Sequence, residues 1–152
     1  MDINEIYYGS NRDNTRQLYS LLESKGPLGI IALNLFRASK NNARAKVYRG
    51  GIPGKGSYKR MAYDRKQWSL GLLCDALSEY AEGAGIIWGW KVDTSQQVHS
   101  WVLYVDLPTG QVSFHSAQRG KGPDYPGDWD GQHQGASRIL DWVKTVLGKE
   151  TT

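Results

Sequence analysis

Cysteine is almost absent from this chain. One cysteine in 152 residues permits no internal disulfide and no multi-thiolate zinc site, and a lone thiol fits a reducing compartment. No apolar run approaches the roughly eighteen residues of a membrane-spanning helix, so no membrane partner is expected. The opening MDINEIYYGS lacks the basic head and apolar stretch of a secretory signal, which leads to the expectation of a cytoplasmic protein. Repeats, heptads and linker-like segments are also missing. Phenylalanine is scarce, with two residues against six tryptophans and nine tyrosines. Most of the aromatic bulk therefore carries a polar handle and suits half-wet surfaces as well as cores.

What is present is the balance of a folded protein: 39% hydrophobic and 22% charged residues, in a length that suits one domain over 1–152. Residues 1–12 read as a loosely ordered polar lead-in. The net charge of +4 conceals a segregation. Ten of the nineteen basic residues lie between Arg37 and Lys66 with a single acid, Asp64, so that segment carries +9 and the remainder −5. Such a field attracts a polyanion or an acidic protein partner.

The pattern predicts an α+β fold: two or three N-terminal helices, a three-stranded antiparallel meander and a C-terminal helix. The first helix starts near Asp13 or Asn14 and buries Leu18, Leu21 and Leu22. Gly26 ends it and Pro27 opens a second, apolar nearly all round from Ile30 to Phe36, which must be buried. Asn41 and Asn42 close that helix, and Ala45–Arg49 reads as a short strand. Asp64 with Gln67 has capping-box spacing and begins a third helix, Asp64 to Glu82, with Trp68, Leu72, Leu73, Ala76, Leu77 and Tyr80 as its apolar stripe. Strands follow at Ile86–Asp93, His99–Leu107 and Gln111–Ser116. The Pro108–Thr109–Gly110 turn pairs Phe114 with Tyr104 if it carries a glycine bulge, or with Val105 otherwise. Ala117–Gly135 reads as a loop, and Ser137–Leu147 as the last helix.

Three candidate sites emerge. The first is the basic, glycine-rich segment with Arg44, Lys46, Arg49, Lys55, Tyr58, Lys59 and Arg60, whose tyrosines interleave with cations in a way that suits phosphates and unpaired bases. It is not a P-loop: Arg49 stands where the first glycine belongs and Gly56 where Ser or Thr belongs. The second is a thiol site of Cys74, His99 and His115. The third is the loop Arg119–Gly131, where Tyr125 and Trp129 can anchor a protein partner. Its Asp124, Asp128 and Asp130 lack the spacing and terminal Glu of a calcium loop. No metal and no cofactor are expected.

The segment CDALSEYAEGAG followed by VHSWVLYVDLPTGQVSFHS resembles the Cys-His core of transglutaminase-like and papain-like proteins. That resemblance implies Cys74 as nucleophile, His99 as base and His115 as the orienting group, hence a hydrolase or acyl transferase. The run LPTGQVSFHS…RGKGPDYPGDWDG resembles small proteins without defined activity from bacterial phages and other mobile elements, which implies an accessory role. The leading expectation is a binding module for nucleic acid or a nucleoprotein, with a protein-binding inhibitor or adaptor and a Cys-His enzyme as alternatives.

Overall fold

A computed structural model describes residues 1–47, 56–93, 100–116 and 129–148. They form five helices and one antiparallel sheet: α1 (Ile3–Tyr8), α2 (Arg12–Glu23), α3 (Pro27–Val47), α4 (Tyr58–Ala84), β1 (Ile87–Asp93), β2 (Ser100–Leu107), β3 (Gly110–Ser116), β4 (Trp129–Gln134) and α5 (Ala136–Leu147). The α+β expectation holds; the meander has four strands rather than three, in the order β1-β2-β3-β4. No helix among the described residues is long and apolar enough to cross a membrane.

The fold is organised around α3. Ile31, Ala32, Leu35, Phe36 and Ala38 have no exposed surface, and the helix touches α1, α2, α4, α5 and β4. This is the arrangement that an all-round apolar helix requires. Its approach to α2 is so close that a Cβ on Gly29 would stand 1.8 Å from the Leu22 carbonyl oxygen, so glycine is obligatory there. Past Ala38 the helix turns polar and continues through Asn41 and Asn42 to Val47. The strand expected at Ala45–Arg49 is helical as far as Val47, and Arg49 lies outside the described residues.

Several boundaries also differ. The lead-in is ordered: Asp2 caps α1 by accepting from the Asn4 and Glu5 amides, and Ile3, Ile6 and Tyr7 are buried. Asn11 rather than Asp13 or Asn14 caps α2, and Leu21 stays exposed. Ser57 caps α4 two turns before Asp64, and Gly85 ends it in the left-handed conformation at φ 69°. The buried stripe of α4 is Leu70, Leu73, Ala76, Leu77 and Ala81. Trp68 lies outside it, 55% exposed.

In the sheet, Leu103 pairs with Phe114 and Leu107 with Gly110, leaving Pro108 and Thr109 as a two-residue turn. Neither expected register for Phe114 is adopted. Leu103, Val105, Leu107, Val112 and Phe114 are buried and share the inner face by strand alternation. The segment read as a loop supplies β4, whose inward positions are Trp129, Gly131 and His133. That is no apolar alternation, which is why it does not read as a strand. Trp129 stacks on Trp90, ring centroids 5.8 Å apart.

Phe36 is sealed edge-on by Tyr7 and Tyr19, at 5.6 and 6.2 Å. Phe36→Ala should cost about 3–5 kcal/mol in urea unfolding, while Trp68→Ala, at an exposed site, should stay within about 1 kcal/mol. Equal costs would contradict α3 as the organising core.

Candidate functional site

The strongest concentration of charge lies where α2, α3 and α4 meet. Each helix contributes a face at helical spacing: Arg12, Arg16 and Tyr19 on α2; Arg37, Asn41 and Arg44 on α3; Tyr58, Ala62, Arg65 and Trp68 on α4. They line two hollows of about 480 and 370 Å³ that share Asn41, Arg44 and Arg65. Arg12, Arg16, Arg37, Lys40, Arg44 and Arg65 all line the larger hollow, and among the described residues no carboxylate lines either one. Among the described residues the exposed aromatic side chains are Tyr8, Tyr58 and Trp68. All three border this groove.

The cations are not equivalent. Lys40 is buried and donates from Nζ to the carbonyls of Ile6, Tyr7 (3.1 Å) and Gly9 (2.6 Å), closing the open end of α1. Burial pushes its pKa down to about 8, and Arg44 beside it acts in the same direction. Arg44 reaches the Gly9 carbonyl at 3.4 Å. The Arg37 guanidinium sits 4.9 Å from the Trp68 ring and 6.0 Å from that of Tyr19, and donates to Asn34 Oδ1 at 2.8 Å. Its Nε is the one buried side-chain polar atom without a hydrogen-bond partner among the described residues. Two rings and one amide oxygen flank this charge. Arg12, Arg16 and Arg65 are exposed.

Of the residues picked from the sequence for nucleic acid, Arg44 and Tyr58 line the groove. Lys46 lines a separate cleft with Asn42, Lys66, Asp130, Gly131 and Gln132. Arg60 pairs with Asp64 at 3.2 Å; Lys59 is half-buried on α4. Arg49 and Lys55 lie outside the described residues, as do His99 and Tyr125. Trp129, expected as an exposed anchor, is buried at 4% exposure and serves the core. Arg12, Arg16 and Tyr8 were missed because they precede the charged segment, although the Arg12–Arg16–Tyr19 spacing was a readable signal.

Of the three residues expected to form the thiol site, Cys74 and His115 are described and His99 lies outside the described residues. Cys74 lies within α4, and burial pushes its thiol up to about 12, which keeps it protonated and unreactive. His115 instead joins two other residues. Its Nε2 lies 2.8 Å from Ser100 Oγ, and its Nδ1 meets Asp130 Oδ2. A carboxylate accepts here, so Nδ1 carries a proton; in the neutral ring Nε2 then accepts from the serine hydroxyl. By strand alternation all three stand on the sheet face opposite Leu103, Val105 and Phe114. Ser100 and His115 are nonetheless 1% and 8% exposed. Asp130 also accepts from the Gln132 amide at 2.9 Å. No cluster of three metal-ligating side chains occurs among the described residues.

A second polar chain runs inward from α1 through α3 to the sheet. Tyr7 OH lies 2.8 Å from Ser39 Oγ, which lies 2.8 Å from His133 Nε2, and His133 Nδ1 reaches the Ser113 carbonyl at 2.9 Å. The carbonyl fixes the tautomer: Nδ1–H donates, Nε2 accepts from Ser39, and Tyr7 donates to Ser39.

Comparison with known proteins finds no match, whether among family models, curated proteins or solved structures.

Burial, with Lys46 nearby, pushes the pKa of His133 down to about 4. The folded state therefore binds fewer protons than the unfolded state between about 4 and 6.5. Stability is full above the unfolded pKa and falls as pH drops toward 4, by about 3 kcal/mol across the window. Urea midpoints should follow that fall, and the His133 ring should titrate near 4 by NMR. An inflection near 6.5 would contradict the buried neutral ring.

Proposed function

We propose that this chain is a non-enzymatic binding module that contacts nucleic acid or a nucleoprotein through the face shared by α2, α3 and α4. The observation that carries the reading is a groove bordered by six basic side chains and, among the described residues, by no carboxylate. Phosphates supply the complementary charge, and arginine supplies planar donors suited to them. An acidic protein satisfies the charge but makes no particular use of the aromatic rim. The accessory role implied by the resemblance to phage and mobile-element proteins is compatible with such a module.

Phosphate-dominated binding weakens steeply with salt. Changing Arg16, Arg44 and Arg65 together to Ala should weaken binding to a 20-nucleotide oligomer by at least about tenfold at low salt. It should also flatten the logarithmic salt slope by about 2, at roughly 0.7 per single-strand phosphate contact. Lys91→Ala, on β1, is the control. Unchanged affinity in the triple variant would remove the groove from the binding surface.

A second reading rests on a different observation, the hydrogen-bonded order Ser100–His115–Asp130. It is the order of nucleophile, base and orienting carboxylate, and it revises the expected Cys-His enzyme into a serine hydrolase. In that reading the Ser100 hydroxyl passes its proton to His115 as Oγ attacks an acyl carbon. The leaving alcohol or amine then takes that proton, and water releases the acyl group. The near-complete burial of Ser100 places this reading second. A fluorophosphonate probe separates the two: an enzyme is phosphonylated on Ser100 with release of fluoride, and Ser100→Ala abolishes labelling. Native protein that stays unlabelled leaves the three residues as a clamp across β2, β3 and β4.

A further inference from the structure

We infer that the occupant of the α2–α3–α4 groove is a single strand of nucleic acid, its bases stacked on Trp68, Tyr58 and Tyr8; the inference rests on the groove being a nucleic-acid surface at all. Three observations lead there. The first is where the exposed aromatic rings fall. Trp68, Tyr58 and Tyr8 are 55%, 78% and 77% exposed, and every exposed aromatic side chain among the described residues borders this groove. Tyr8 meets Tyr7 edge-on at 4.8 Å and Arg37 lies against Trp68, yet much of each of the three rings still faces water. Stacking gives them a use, and it needs a base whose face is free; in a duplex those faces are already stacked on each other.

The second observation is shape. The cations line concave hollows between three helices, of about 480 and 370 Å³, which is the scale of small-ligand pockets. A duplex is read by an element that projects into its grooves. Here α3, the middle element, lies against α2 and α4 and does not project. Individual nucleotides are of a size to enter such hollows.

The third observation is the pairing of charge with rings. Arg37 lies 4.9 Å from the ring of Trp68, which is still 55% exposed, so a cation and an accessible ring stand together here. Arg44 and Arg65 line both hollows, Trp68 the larger and Tyr58 the smaller, so a backbone crossing from one ring to the other meets both cations. Sequence preference is weak in such an arrangement, because every base offers a π face.

The test uses the full chain with mixed-sequence 12-mers of single-stranded DNA, single-stranded RNA, the matched DNA duplex, and heparin as an anion without bases. Single strands should bind tighter than the duplex. Trp68→Ala and Tyr58→Ala should each lower single-strand affinity roughly tenfold, leave heparin binding unchanged, and be rescued by Trp68→Phe and Tyr58→Phe. Both residues are exposed, and unchanged urea midpoints verify that the variants fold. A preference between the DNA and RNA strands identifies which sugar the groove takes. Equal binding of duplex and single strand, or alanine variants that bind like wild type, overturns the inference while leaving the basic groove in place. Failure of every nucleic acid to bind overturns the proposed function itself.

Discussion

Helix α3 cannot be exposed to water along its first half, and the rest of the molecule is arranged around that constraint. From Ile31 to Ala38 its apolar side chains point in nearly every direction, so no single neighbour can shelter them. Four helices and a strand of the sheet gather around it. From Asn41 onward the same helix is polar and basic, and its neighbours no longer have to seal it. The groove lies at that transition. Its floor is held by the core directly beneath, so its cations stand on a rigid support rather than on a loop. The convergence of these cations thus follows from the packing of three helices.

The polar interior is equally ordered. Tyr7, Ser39 and His133 join α1, α3 and β4 through one chain of donors in a fixed direction. Ser100, His115 and Asp130 join three strands on the opposite sheet face. Fully satisfied buried networks of this kind favour one packing over its alternatives. They explain how a sheet whose fourth strand is mostly polar keeps its register. Cys74, by contrast, packs partly buried against the core, and its surroundings favour the neutral thiol.

Much of the fold was legible because its driving residues follow simple periods. The apolar run of α3, the amphipathic α5 and the alternation in β2 read directly as elements. What was hidden had specific physical causes. Ser57 caps α4 immediately after a glycine-rich run that argues against helix, so the start was placed at Asp64. β4 presents Trp129, Gly131 and His133 inward, which imitates a loop. The direct turn at Pro108–Thr109 set a register that turn residues alone do not determine. At the groove, the +9 segment announced Arg44 and Tyr58, but Arg12, Arg16 and Tyr8 come from earlier in the chain and converge only through packing. His115 was picked out, yet its partners were not: serine is too common to signal itself, and Asp130 resembled a metal ligand.

Arg37 shows what burial does for a surface charge. A free arginine samples many rotamers and loses that freedom when it meets an anion. Flanked by Tyr19 and Trp68 and tied to Asn34, Arg37 has lost most of it during folding. The groove thus contains one cation whose ordering was settled before any ligand arrives, beside exposed arginines that must still be immobilised. Contacts made near Arg37 should form first and persist longest, and those farther along the groove, toward Tyr58, should exchange more readily. For a strand bound as proposed, the two ends of the surface then differ in residence time although they carry charge of the same sign.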